Sequence, residues 1–247
     1  MLGYLFRCIA CDDARPAART FPLCSNCMEA LAPCPPLCPS CASPFCVQNG
    51  SGECLRPWAR HGSIRSFSAR YLLINPGYRT LRRWKARGGI AFERKVLNPD
   101  FQFAIPENAW VVPIPQRFVR AWRFGGSPSE RIARWISHRS GAPVVPLLEP
   151  VHDPGLPRQA ELSAEARLQN RLRFRIRAGW ILPPRTPVVL VDDFMTTGHT
   201  LRKASDLLAE NGADDVHVFC LGVRPARSEQ QRNLLHRECR SESVGQE

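Results

Sequence analysis

The sequence predicts an α/β fold: a parallel sheet with flanking helices, preceded by a small cysteine-rich module. Three observations predict it. Short apolar runs alternate with stretches of helical spacing along most of the chain, which argues a parallel, three-layer sheet. The clearest run, 188–191, is apolar and mostly β-branched, as a strand buried on both faces must be. Nine of the eleven cysteines fall between Cys8 and Cys54, so the front of the chain differs in kind from the rest. At 247 residues with 44% apolar content, the chain suits one domain of ordinary size with a real core, plus the smaller module.

Taken in order, residues 1–57 form the Cys/Pro-rich module and 58–224 the α/β domain. Apolar spacing between 64 and 104 places helices at 76–87 and 89–97. Residues 109–115 read as a strand ending in prolines. Ser-Pro-Ser-Glu at 127–130 opens a helix over 128–139, with a capping box and Pro at its first position. A second strand is expected at 144–148, then a basic loop over 151–177 that turns helical near 163–171. Strand 188–191, helix 199–210 closed by Asn211-Gly212, and strand 216–221 follow. Residues 225–247 are polar and expected to be disordered.

The formal charge is +12, carried by 31 Arg against 3 Lys. The basic residues gather at 79–95, 117–139 and 158–177. Such a surface favours phosphate-rich partners, although an Arg excess with scarce Lys also follows from a GC-rich genome. No apolar run approaches the ~18 residues of a spanning helix. The start, MLGYLFRCIACDD, lacks a long apolar core and a cleavage site, so a cytoplasmic setting is expected. No P-loop and no HExxH motif occurs, which leaves nucleotide hydrolysis and zinc proteolysis without support.

Cys8-x2-Cys11 and Cys24-x2-Cys27 are paired knuckles. Each puts two sulfurs on one side of a tight turn, and two knuckles complete a tetrahedral thiolate zinc site. Disulfides are the competing reading, and they need an oxidising compartment. Cys38-x2-Cys41 is a third knuckle without a partner, because Ser51 stands three residues before Cys54. Cys46 could substitute, giving a second set of Cys38, Cys41, Cys46 and Cys54. A module with few aliphatics has little core, and structural zinc would fold it.

Residues 188–200 read VVLVDDFMTTGHT: strand, acid pair, hydroxyl-glycine turn, then helix. The turn's N–H groups and the helix start can cradle a phosphate. The acids one step upstream suit sugar hydroxyls or a bridged Mg²⁺. The run resembles the phosphoribosyl pyrophosphate (PRPP) motif of type I phosphoribosyltransferases. The resemblance implies that Asp192 and Asp193 contact the ribose hydroxyls. It also implies that the turn of Met195, Thr196, Thr197, Gly198, His199 and Thr200 binds the 5′-phosphate.

A narrower resemblance joins this motif to the front of the chain. The cysteine knuckles, Trp84-Lys85, Pro113-Ile114-Pro115 with Arg117 and Arg120, and Arg158-Gln159 with Leu162, Arg167 and Asn170 together resemble the ComF (ComFC/GntX) family over roughly residues 5–225. One departure is plain: the family's Arg-Gly-Phe-Asn-Gln becomes Arg123-Phe124-Gly125-Gly126-Ser127. The resemblance implies a phosphoribosyltransferase-like domain linked to DNA uptake in natural competence. Lys85 joins the acids as a catalytic residue, and Arg117 and Arg120 as substrate ligands. Mg²⁺ would accompany PRPP, and single-stranded DNA and a competence helicase are the implied partners. Two functions fit: phosphoribosyl transfer with loss of pyrophosphate, or non-catalytic sensing of a phosphosugar with binding of single-stranded DNA.

Overall fold

A computed structural model describes residues 8, 10–11, 23–44, 46, 49, 51, 54, 63–87, 96–97, 103–116, 126–151, 174–196 and 198–225. Its centre is a four-stranded, all-parallel sheet. The strands are β1 (Ile64–Leu72), β2 (Trp110–Pro113), β5 (Thr186–Met195) and β6 (Ala213–Val223), in the order β1-β6-β5-β2. A separate antiparallel pair joins β3 (Leu148–Pro150) to β4 (Phe174–Ile176). The helices set wholly among the described residues are α1 (Ser25–Glu29), α2 (Gly77–Arg87), α3 (Pro128–Ser140) and α4 (His199–Glu210).

Val188 to Val191 are fully buried. Alternation along the strand sends Val189 and Val191 into one core with Leu81 and Trp84 of α2 and Ile132 and Ile136 of α3. Val188 and Leu190 enter a second core with Leu201, Ala204 and Leu208 of α4 and Leu148 of β3. The sheet is thus covered on both faces, as parallel sheets require. Among the described residues, no helix is long and apolar enough to cross a membrane.

The capping box at the start of α3 is present in both halves: Ser127 Oγ accepts from the Glu130 N–H at 3.2 Å, and Glu130 Oε2 accepts from the Ser127 N–H at 2.9 Å. Three elements differ from the sequence reading. β1 is a full strand in a stretch read only as apolar spacing, although Phe67, Ala69 and Tyr71 alternate with Ser66, Ser68 and Arg70 at the period of a half-buried strand. The strand expected at 144–148 is instead a single bridge, Val144 to Val111. Prolines at 143 and 146 have no N–H to extend the ladder, and only Leu148 continues into β3. The stretch expected as loop up to 177 contains β4.

The cysteine-rich front packs directly on this sheet. Residues 32–34 run antiparallel along the outer side of β1, with Cys34 N–H donating to Arg70 C=O at 2.8 Å and Leu72 N–H to Ala32 C=O at 2.9 Å. Of the expected helix 89–97, only 96–97 lie among the described residues, while the 163–171 helix and the tail from 226 onward lie outside them.

Candidate functional site

β5 does not stop before the acids. Its ladder continues past them, pairing Asp192 with Cys220, Phe194 with Gly222 and Met195 with Val223, because β6 is long enough to receive it. Asp192 and Asp193 therefore stand near the end of a central strand, held by β6 on one side, while the β2 ladder stops at Val191 and leaves the other side open. Asp193 N–H donates to Asp192 Oδ1 at 2.8 Å, and Phe194 N–H to Asp193 Oδ1 at 2.7 Å.

Three other elements converge on the pair. Lys85, from α2, places Nζ 2.6 Å from Asp193 Oδ2, with the lysine side chain 31% exposed and the aspartate 3%. Gln116, in the turn after β2, donates through Nε2 to the same oxygen at 2.9 Å. Ser129, in the first turn of α3, donates through Oγ to Asp192 Oδ1 at 3.1 Å. Lys85 Nζ also lies 5.3 Å from the centroid of the Phe194 ring, which Trp84 meets edge-on at 6.4 Å. Burial first, and the neighbouring Asp193 charge second, push the Asp192 carboxyl up to about 7. A buried carboxyl beside a second acid disfavours its own charge until a cation or hydroxyl donor arrives.

The turn that follows reverses direction at Gly198, whose φ of 69° lies in the left-handed region open to glycine. Gly198 is the N-cap of α4, so the helix's first N–H groups face the turn. Thr196 is exposed, and His199 and Thr200 are half-buried at the helix start. Burial first, then the charges of Lys203 and Arg202, hold the His199 imidazole below its ordinary pKa. It is accordingly neutral at pH 7. The side chain of Met195 is buried in the α4-side core, so only its backbone can reach a ligand. Thr197, Arg117 and Arg120 lie outside the described residues, as does nearly all of the loop after β3.

Gln116 and Ser129 were not singled out from the sequence. Gln116 directly follows the proline strand end. Ser129 sits inside the Ser-Pro-Ser-Glu run, where the capping signal hid a second use of the same turn.

Two thiol clusters stand at the front. The sulfurs of Cys8, Cys11, Cys24 and Cys27 lie within 4.8 Å of one another, and so do those of Cys38, Cys41, Cys46 and Cys54. In the first set, Cys11 Sγ and Cys24 Sγ are 3.7 Å apart. Four sulfurs about 2.3 Å from a tetrahedral zinc are about 3.8 Å from each other. The second set thus assembles without a fourth knuckle, Cys46 standing in for the missing partner. Both groups could hold a metal ion, and an all-thiolate tetrahedral set fits zinc. Burial pushes the Cys8 thiol up, but backbone N–H groups of Cys24, Cys11 and Ala10 outweigh it and bring Cys8 down to about 7. The Cys24 N–H lies 3.4 Å from its sulfur. Cys38 is brought to about 7 in the same way, against burial, with the Cys41 N–H foremost among its donors. Cys34 and Cys220 belong to neither set. Burial pushes Cys34 up to about 12 and Cys220 well above an ordinary thiol, so both are packing residues.

The chain is similar to several known proteins. A model of the phosphoribosyl transferase domain matches residues 155–241. DNA utilization protein YhgH of Salmonella typhi is 29% identical over 208 residues, covering 81% of this chain and 89% of the relative. Competence protein F of Haemophilus influenzae is 27% identical over 236 residues, covering 87% of this chain and 96% of the relative. Competence protein ComFC of Streptococcus pneumoniae is 42% identical over 55 residues, 22% of this chain and 24% of the relative. The chain therefore carries a phosphoribosyl transferase domain on a parallel sheet, behind a cysteine-rich segment that fits a zinc module, and is a homologue of the YhgH and competence F/ComFC proteins.

Proposed function

We propose that the acid pair and the turn opening α4 bind PRPP or a related phosphosugar with Mg²⁺, in a protein that serves DNA uptake. One observation carries the reading. Lys85, Gln116 and Ser129, from three separate elements, meet at Asp192 and Asp193 immediately upstream of a left-handed turn and a helix N-terminus. In this reading the turn from Met195 to Thr200 takes the 5′-phosphate and the two acids take the ribose hydroxyls. Lys85, with Arg117 and Arg120, neutralises the pyrophosphate. Asp192 and Asp193 would hold Mg²⁺ through their carboxylate oxygens, and the ion would add neutralisation of the leaving group. Transfer breaks the bond between the anomeric carbon and pyrophosphate, and the acceptor's nitrogen forms the new one. Catalysis rests on positioning and on fixed charges around a cationic sugar.

The names of the competence relatives and the +12 charge favour a second reading, in which the site senses a phosphosugar and the basic surface holds single-stranded DNA beside a helicase. The proposal extends to the division of the chain at 57 and 224, and to a cytoplasmic setting that keeps the thiols reduced. Calorimetry with PRPP and Mg²⁺ tests the binding: wild type should bind, and the Asp192→Asn, Asp193→Asn double variant at least tenfold more weakly. Equal affinity in the two would remove the acids from the site. Pyrophosphate release with a panel of bases separates transferase from sensor.

A further inference from the structure

The cysteine front and the acid pair are joined by one helix. α1 follows directly from Cys24, includes Cys27 and ends at Ala30. The Ala30 carbonyl lies against Gly77, the first residue of α2. A Cβ at position 77 would overlap Ala30 O and would meet Ala30 C at 3.0 Å and Leu31 Cα at 3.2 Å. These are backbone atoms with no flexible end to yield, so only glycine allows the two helices to approach this closely. Farther along α2, Leu81 and Trp84 are fully buried in the same core as Cys8, Cys24 and Leu31. The next residue is Lys85, 2.6 Å from Asp193.

We infer that the first cysteine cluster, with its metal bound, is a positioning element of the acid site: it seats α2 through the Gly77–Ala30 contact and so holds Lys85 against Asp193. The inference rests on the reading of the acid pair as the phosphosugar site. A helix as short as α1 has no stability of its own, and metal ligation is what orders such a knuckle. From Gly77 to Lys85 the helix rises about 12 Å. A tilt of about 10° at Gly77 therefore displaces Lys85 by about 2 Å, enough to open its ion pair. Displacements of about 1 Å at a reacting centre already cost a hundredfold in rate. Gly77 is accordingly a positioning residue, acting through Lys85 without touching the ligand.

The test is a thermodynamic cycle on the full chain. Affinity for PRPP with Mg²⁺ is measured by calorimetry for wild type and Lys85→Met. Each is taken zinc-loaded and after treatment with a zinc-selective chelator that is then removed. Zinc loss should weaken binding tenfold or more in wild type and less than twofold in Lys85→Met, because the metal's influence passes through that lysine. An equal loss in both backgrounds overturns the inference. Gly77→Ala should mimic zinc loss while retaining its metal.

Hydrogen exchange decides the matter independently of ligand. On zinc removal the amides of residues 81–85 should lose markedly more protection than those of β2 and α3, which fall only with the domain's overall stability. Unchanged protection in α2, or a uniform loss across the domain, overturns the inference. Failure of zinc-loaded wild type to bind PRPP would instead sink the proposed function, and the exchange measurement would still report on the helix.

Discussion

The two cysteine clusters share a ligand chemistry and differ in what lies behind them. In the first, Cys8 and Cys24 are themselves core residues, packed with Leu81, Trp84 and Val191 on the face of the sheet that carries α2. In the second, none of the four thiols belongs to either core. Among the described residues, its neighbours Ala42, Leu37 and Cys34 reach the core on the opposite face. Its knuckle closes locally, Ala42 N–H donating to Cys38 C=O at 2.8 Å with Ala42 at φ 52°. A metal site whose ligands are core side chains transmits its state to the fold. One whose ligands sit beside the core keeps its state to itself.

The sharpest break in that comparison comes from removing one ligand at a time. Cys24→Ala should cost more than about 5 kcal/mol, since ligation of a structural zinc contributes roughly 10–16 kcal/mol and the vacated site borders the core. It should lower both the melting temperature and the affinity for PRPP. Cys41→Ala should release its metal equally well but shift the domain's melting by no more than about 2 kcal/mol, leaving PRPP affinity within twofold. Calorimetric melts with metal analysis measure both, and equal losses would erase the distinction.

At the acid pair, stability and binding should instead move in opposite directions. Asp192 is raised from an ordinary carboxyl to about 7 by burial and by Asp193. The folded state therefore takes up a proton more readily than the unfolded chain. The stability this represents is complete below about pH 4 and is lost as pH rises through 7. Asp192→Asn removes the liability. It should melt with wild type at pH 4 and above it at pH 8, by at most about 4 kcal/mol, while binding PRPP more weakly. A variant that melts below wild type at pH 8 would show that the charge stabilises the fold.

The smallest effect belongs to Ser129, whose Oγ reaches Asp192 Oδ1. Ser129→Ala removes one donor to a charged group, a loss of roughly 1–2 kcal/mol at pH 8, smaller at pH 5 where Asp192 is protonated. A melt series over pH reads this directly, and a pH-independent loss would assign Ser129 to helix capping alone.

The fold class was legible because 188–191 is apolar on both faces and because Ser127 and Glu130 announce their helix. β1 was not, since its identity comes from pairing with β6, a partner some 150 residues away in sequence. The strand at 144–148 failed for a local reason, the prolines that interrupt it. At the site, the order of acids, threonines and glycine was readable because each residue's chemistry is declared by type and spacing. Gln116 and Ser129 were hidden, because a lone Gln or Ser acquires meaning only when another segment places a carboxylate within 3.1 Å of it.

The pairing of residues 32–34 with β1 also bears on solubility. β1 is the outermost strand on its side, and without that pairing its unpaired N–H and C=O groups would form an open template for another chain. On the far side, Pro143 and Val145 do the same for β2. A fragment cut at the compositional boundary near residue 57 would keep every residue of β1 and yet bare its edge. Such a fragment would self-associate through strand addition, so the cysteine-rich front also acts as the domain's guard against aggregation.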